Sequence, residues 1–158
     1  MTQERKEFMQ EAIRLAEEGL RSGRGGPFGC VVVRQGKIVA RGCNGVLATN
    51  DPTAHAEVMA IREAGRTLGT FRLNDCELYT NCEPCPMCLA AIYWAHIPQV
   101  YFANTRADAA AIGFDDAFIA AQISLPSEKR TVKMRPLLRA AALPVFQAWT
   151  EKSDKIRY

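Results

Sequence analysis

A chain of 158 residues that is 48% hydrophobic suits one compact domain, residues 1–158, able to bury a core without a disulfide scaffold. Twenty basic residues against 17 acidic ones leave a net charge of +3, too mild a balance to argue for a nucleic-acid partner. The charged start Glu4-Arg5-Lys6-Glu7 is unlike a secretory leader and no apolar run reaches about 18 residues, so a cytoplasmic protein that meets no membrane is expected.

In that reducing setting the six cysteines are expected as buried thiols or metal ligands rather than disulfides. Residues 4–20 carry a rough apolar stripe of Phe8, Ile13, Leu15, Ala16 and Leu20, which predicts a helix. A glycine-rich turn over 21–27 follows. Residues 30–33 and 37–40 read as two strands joined tightly at Gln35-Gly36. The stretch 42–53 holds Asn44-Gly45 and Asn50-Asp51-Pro52, both loop signals. A helix is predicted over 54–68, with Asp51 or Thr53 as its cap.

A short strand at 77–80 leads to a helix over 85–95, whose start tolerates Pro84 and Pro86. Another strand is expected at 99–103, and short helices at 107–112 and 115–123. Residues 131–134 are a candidate last strand and 145–152 a last helix. The alternation predicts an α/β fold of three layers, αβα, with a mixed sheet and helices on both faces.

The chemistry concentrates at two predicted helix starts: His55-Ala56-Glu57, and Pro84-Cys85-Pro86-Met87-Cys88. Cys85 and Cys88 are three apart, so one helical turn can aim both sulfurs at one point. A helix N-terminus favours thiolates there. His55 supplies a third ligand, and three protein ligands on zinc leave a position for water. Glu57 is two residues from His55, about 200° around an ideal helix. Both reach one volume only if the helix meets the metal end-on, and end-on approach is expected of both helices.

Alone, each residue has a plainer reading: a redox or buried cysteine pair, a hydrogen-bonded histidine, a solvated glutamate. Together they form the H-x-E…P-C-x-x-C arrangement of zinc nucleobase deaminases. One rival stays open: Cys82, Cys85, Cys88 and His55 as a closed structural zinc site in a non-catalytic module. Such a site gives no role to Glu57.

The runs from Asp51 to Val58 and from Cys82 to Cys88 resemble the cytidine-deaminase superfamily, with its tRNA adenosine deaminases and cytosine deaminases. Gly25-Gly26-Pro27-Phe28-Gly29, Ala90-Ala91-Ile92-Tyr93-Trp94-Ala95 and Ile112-Gly113-Phe114-Asp115-Asp116 are similar to the bacterial guanine deaminases within it, and so is the ending from Phe146 to Tyr158. The resemblance covers nearly the whole chain. It implies a five-stranded sheet, one Zn2+ per subunit held by His55, Cys85 and Cys88, and Glu57 as the catalytic proton shuttle.

The same resemblance implies hydrolysis of guanine to xanthine and ammonia, with guanosine or tRNA adenosine as the alternative substrates. Asn44 and Asp116 would contact the purine, and Phe28 and Trp94 would wall its pocket. Tyr158 would reach a partner's site from a swapped segment, 145–158, of a homodimer. From the residues alone, Asn44 can equally make the turn with Gly45, one of Asp115 and Asp116 can cap a helix, and Phe28 and Trp94 can be core aromatics. Tyr158 can be a frayed end. Cys30, Cys43 and Cys76 read as inert thiols.

Overall fold

The computed structural model describes residues 2–157. The chain divides into two compact units, Met1–Asp116 and Ala117–Tyr158. The first contains the sheet and the residues of the two helix-start motifs.

Helix α1 (Gln3–Arg21) opens the first unit, with the Thr2 hydroxyl accepting from the Arg5 N–H at its N-cap. Strands β1 (Gly29–Arg34) and β2 (Lys37–Cys43) form the expected hairpin. Its two turn residues, Gln35 and Gly36, have φ of 51° and 72°. Positive φ at both central positions is the turn whose twist matches paired strands. A one-turn helix, α2 (Val46–Thr49), interrupts the predicted loop. Then come α3 (Ala56–Leu68), β3 (Cys76–Cys82), α4 (Pro86–Trp94), β4 (Gln99–Asn104) and α5 (Arg106–Ala111).

The sheet order is β2-β1-β3-β4. β1 is antiparallel to β2 and β3, and β3 is parallel to β4. Gly29 to Val33 are buried throughout, because β1 is central and covered on both sides. Val31 and Val33 pack with Leu15 and Tyr79 under α1. Cys30 and Val32 face the other way, into a cluster with Ala56, Ala60 and Ala64 of α3 and Ile92 of α4. The period-2 alternation of a strand thus serves two helical layers, and the three-layer αβα expectation holds.

The approach of α3 is unusually close. Its sheet-facing stripe is alanine, and a Cβ at Gly42 of β2 would lie 2.2 Å from the Ala56 carbonyl oxygen. Only glycine lets the first turn of α3 rest on the strand there. That contact fixes where His55 and Glu57 stand.

Several expectations need correction. The sheet has four strands among the described residues, not five. Residues 131–134 form no strand: the Thr131 N–H donates to Gln122 Oε1 at 2.8 Å, and Val132 and Met134 are exposed. A β pattern without a partner edge makes no ladder. The cap of α3 is neither Asp51 nor Thr53 but His55; the Asp51 carboxylate instead accepts from Thr53 N and Oγ1 at 2.8 and 2.7 Å, closing a local turn.

The second unit holds α6 (Ala117–Ser124), a 3-10 turn (Ser127–Lys129) and α7 (Arg139–Glu151). Helix α7 runs through Pro144, where a start at 145 was expected. Proline removes one backbone bond from the ladder without always ending it. None of the described residues of this unit is buried.

Candidate active site

Two helices present their N-termini to the site. His55 is the N-cap of α3, with extended backbone at φ −71° and ψ 154°. Cys85 is the N-cap of α4, extended in the same way at φ −64° and ψ 167°, with Pro86 as the first helical residue. Neither side chain bonds its own helix end. Instead, His55 Nδ1 lies 3.6 Å from Cys85 Sγ and 3.4 Å from Cys88 Sγ. Because His55 is not yet helical, the 200° conflict with Glu57 does not arise. Both helices meet the site end-on.

These three ligand atoms lie within 4.8 Å of one another. A tetrahedral zinc about 2.3 Å from sulfur and about 2.05 Å from nitrogen sets an N···S edge of about 3.5 Å. The observed edges bracket that value, so the residues fit the ion. They also fit by chemistry, as two sulfurs and one imidazole suit zinc. Cys82 stands apart: its thiol points to the Thr105 carbonyl oxygen at 3.7 Å. Among the described residues it does not join the cluster, so the closed four-ligand site is not formed.

The electrostatics are those of a site prepared for a cation. The Cys85 thiol is drawn well below the usual thiol range, first by the Cys88 thiol that donates to it, with His55 acting in the same direction. Its bond to Cys85, and then burial, hold Cys88 protonated. The pair therefore releases its first proton readily and the second on metal binding. His55 is held more basic than usual, first by its bond to Cys85. Glu57, in the first turn of α3, is only 5% exposed, and burial raises its carboxyl above the usual range.

The expected substrate residues divide. Asn44 is buried; its Oδ1 accepts from Gly26 N at 3.3 Å and Val46 N at 3.2 Å. The turn-making role is therefore real, and it ties down the Gly25–Phe28 loop. Phe28 meets Phe114 edge-to-face at 4.9 Å and 89°. Asp116 Oδ1 accepts from Arg106 Nε and Nη2 at 2.9 and 2.8 Å. Trp94, at the far end of α4, is 66% exposed, neither a core aromatic nor a visible pocket wall. Eight residue steps of helix put it about 12 Å from the α4 N-terminus. Tyr158 lies outside the described residues.

A cavity of about 360 Å³ opens elsewhere, between α1 and α5, lined by Leu20, Phe28, Cys82 and Ile112 among others. None of His55, Glu57, Cys85 and Cys88 borders it. Sequence reasoning missed Arg106 and Thr80. The Thr80 hydroxyl is wholly buried and has no hydrogen-bond partner among the described residues, and nothing in a strand sequence announces that. Arg106 had one available signal, the Thr105-x-x-Asp108 capping box that fixes the start of α5.

Fold and site together define a zinc-site deaminase architecture. Residues 2–104 match the cytidine and deoxycytidylate deaminase zinc-binding region, and the chain belongs to this family. It is similar to the guanine deaminase of Bacillus subtilis, 51% identical over 151 residues that make up 96% of this chain and 97% of that protein. An X-ray structure of guanine deaminase from Bacillus subtilis superposes with a TM-score of 0.94 at 49% identity, covering 100% of this chain and 99% of the other. A tRNA-specific adenosine deaminase of Streptococcus pyogenes is 44% identical over 100 residues, covering 63% of this chain and 62% of its own.

Proposed function

We propose that this protein is a zinc-dependent hydrolase that deaminates guanine to xanthine and ammonia. The buried Glu57 beside the His55–Cys85–Cys88 cluster carries the deaminase reading, because a structural zinc site needs no carboxylate. The choice of guanine rests on similarity that runs through 96% of the chain. The likeness to a tRNA-specific adenosine deaminase covers 63%, and the net charge of +3 lends a nucleic-acid substrate no support.

His55 Nδ1 and the sulfurs of Cys85 and Cys88 would hold one zinc ion per subunit. Bound there, the ion would act as a Lewis acid and bring the pKa of a water to about 7. The Glu57 carboxylate takes a proton from the water that attacks C2 of guanine. It passes that proton to the ring nitrogen, then takes the remaining proton from the oxygen now on C2 and delivers it to the departing amine, so that one group serves as base and acid. A carboxyl that burial holds above the usual carboxylate range suits both halves of that task. The Asn44 carboxamide and Asp116 orient the purine, and Phe28 walls the pocket.

The whole chain, 1–158, works as one deaminase domain within a cytoplasmic homodimer. The second unit supports a swapped assembly: Phe118, Val132, Leu137, Phe146 and Trp149 are all exposed, an apolar surface that a single copy leaves in water. On this reading residues 145–158 bring Tyr158 to the partner's site, and Trp94 walls a pocket only in the assembled dimer. Among the described residues no helix is long and apolar enough to cross a membrane.

Ammonia release from guanine, guanosine, adenine, cytosine and an anticodon stem-loop tests the substrate. Guanine alone should react well. Glu57→Gln should keep its zinc while turnover falls by at least about 10²-fold. A fully active Glu57→Gln protein would remove the shuttle role, and preference for the stem-loop would replace guanine by tRNA.

A further inference from the structure

Asp116 reaches its position through one arginine. Both Arg106 donors, Nε and Nη2, go to a single carboxylate oxygen, Oδ1, at 2.9 and 2.8 Å. Oδ2 is left without a bond of its own among the described residues. The backbone N–H of Arg106 donates to Glu83 Oε2 at 3.2 Å, and Glu83 stands two residues before Cys85 on the loop that leads into α4. The Glu83 N–H donates in turn to the Asn104 carbonyl oxygen at 2.8 Å. Arg106 therefore joins the metal-bearing loop to the carboxylate.

Its own backbone is fixed. Arg106 is the first residue of α5, whose N-terminus is closed by a capping box: Asp108 Oδ2 accepts from Thr105 N at 2.8 Å, and Thr105 Oγ1 accepts from Asp108 N at 3.2 Å. The far side of the 113–116 loop is held as well. The Phe114 N–H donates to the Ala109 carbonyl oxygen at 3.0 Å, and its ring sits against Phe28. A Cβ at Gly26 would lie 2.9 Å from that ring and from the Phe28 ring, so both rings would have to shift for any larger residue. Gly26 is itself bonded to Asn44. One continuous path thus runs from Asn44 through Gly26 and Phe114 to Asp116, then through Arg106 and Glu83 to Cys85.

We infer that Arg106 is a positioning residue for purine recognition: it occupies Asp116 Oδ1 and so presents Oδ2 as the acceptor for an N–H of the base. This rests on the reading above that Asp116 touches the purine. Lysine is a poor substitute, because its ammonium lacks the planar fork that closes two N–H groups on one oxygen. Burial supports the assignment. The Asp116 side chain is 17% exposed and that of Arg106 36%, so the pair is shielded well enough to keep a fixed geometry.

The test is a steady-state comparison on guanine of the unaltered protein, Arg106→Met, Arg106→Lys, Asp116→Asn and the Arg106→Met/Asp116→Asn double variant, each with its zinc content measured. Arg106→Met should raise KM about tenfold while kcat changes less than about threefold, with zinc retained, and Arg106→Lys should recover part of that loss. Acting through Asp116, Arg106 should cost little once Asp116 is gone, so the double variant should match Asp116→Asn within about twofold in kcat/KM.

Multiplying losses, or an unchanged KM in Arg106→Met, would overturn the inference. Should Arg106→Met not fold, Arg106→Lys decides: its KM must rise by about threefold or more. An unchanged KM in Asp116→Asn removes the base contact itself, and with it the inference. A protein that holds zinc but leaves guanine intact removes the substrate reading instead.

Discussion

His55 and Cys85 are both helix N-caps whose side chains leave the cap unfilled and turn to one another. Serine, threonine, aspartate or asparagine would normally stand at such positions. The cap is given up here, and the two first turns deliver donors to one small volume. Glu57 follows from the same geometry, placed in the first turn of α3 and closed off from water. The spacing of these residues was legible because metal ligation constrains residue type and separation tightly. Thr80 was not legible: its hydroxyl is buried only because β3 lies between β1 and β4 under two helical layers. A buried hydroxyl without a partner costs stability, and valine has the same shape without that demand. Thr80→Val should raise the free energy of unfolding by about 1 kcal/mol in urea titrations. A clear loss instead would mean that a buried water serves the hydroxyl.

Among elements, the tie between α1 and the hairpin shows how charge fixes a layer. Glu11 accepts from Arg14 Nε through Oε2 and from Arg41 Nε through Oε1, both at 2.7 Å. Arg14 is on the same helix, whereas Arg41 is on β2. The Arg14 bond, joined by Arg41, holds the Glu11 carboxyl down at about 2. In the unfolded chain it returns to about 4.3. The folded state then binds this proton less readily than the unfolded state, so protonation favours unfolding. The contribution is complete above the unfolded value and is lost as pH falls from about 4.3 to about 2. Glu11→Gln should therefore lower Tm at pH 6 and converge on the unaltered protein near pH 2. Curves that stay parallel down to pH 2 would deny Glu11 its part. Element boundaries were less legible than elements. The helix start at 145 was misplaced because Pro144 reads locally as a stop, and 131–134 was expected as a strand because alternation cannot show whether a partner edge exists.

At the scale of the molecule, the two units differ in kind. Met1–Asp116 has buried clusters on both faces of its sheet. The described part of Ala117–Tyr158 has no buried residue despite its aromatic and aliphatic content. If that segment completes a partner's site, catalysis can be divided between two defective chains. A full-length Glu57→Gln copy has a tail but no shuttle, and a copy ending at Pro144 has the shuttle but no tail. Each alone should be inactive. Co-expressed, they should regain about a quarter of normal activity, since half of randomly formed dimers are mixed and each has one whole site. A fully active shortened copy, or no recovery on co-expression, would rule out the swap. The sequence by itself determined that His55, Cys85 and Cys88 form one cluster able to hold a metal and that the fold is of the layered α/β class, because coordination chemistry and side-chain periodicity are local and leave marks at fixed spacing. Only the tertiary structure decided that His55 rather than Asp51 or Thr53 caps α3, that Cys82 stands outside the cluster, and that Arg106 holds Asp116. Those depend on which distant segments meet when glycine and alanine let helix and sheet close together, and no spacing along the chain encodes that.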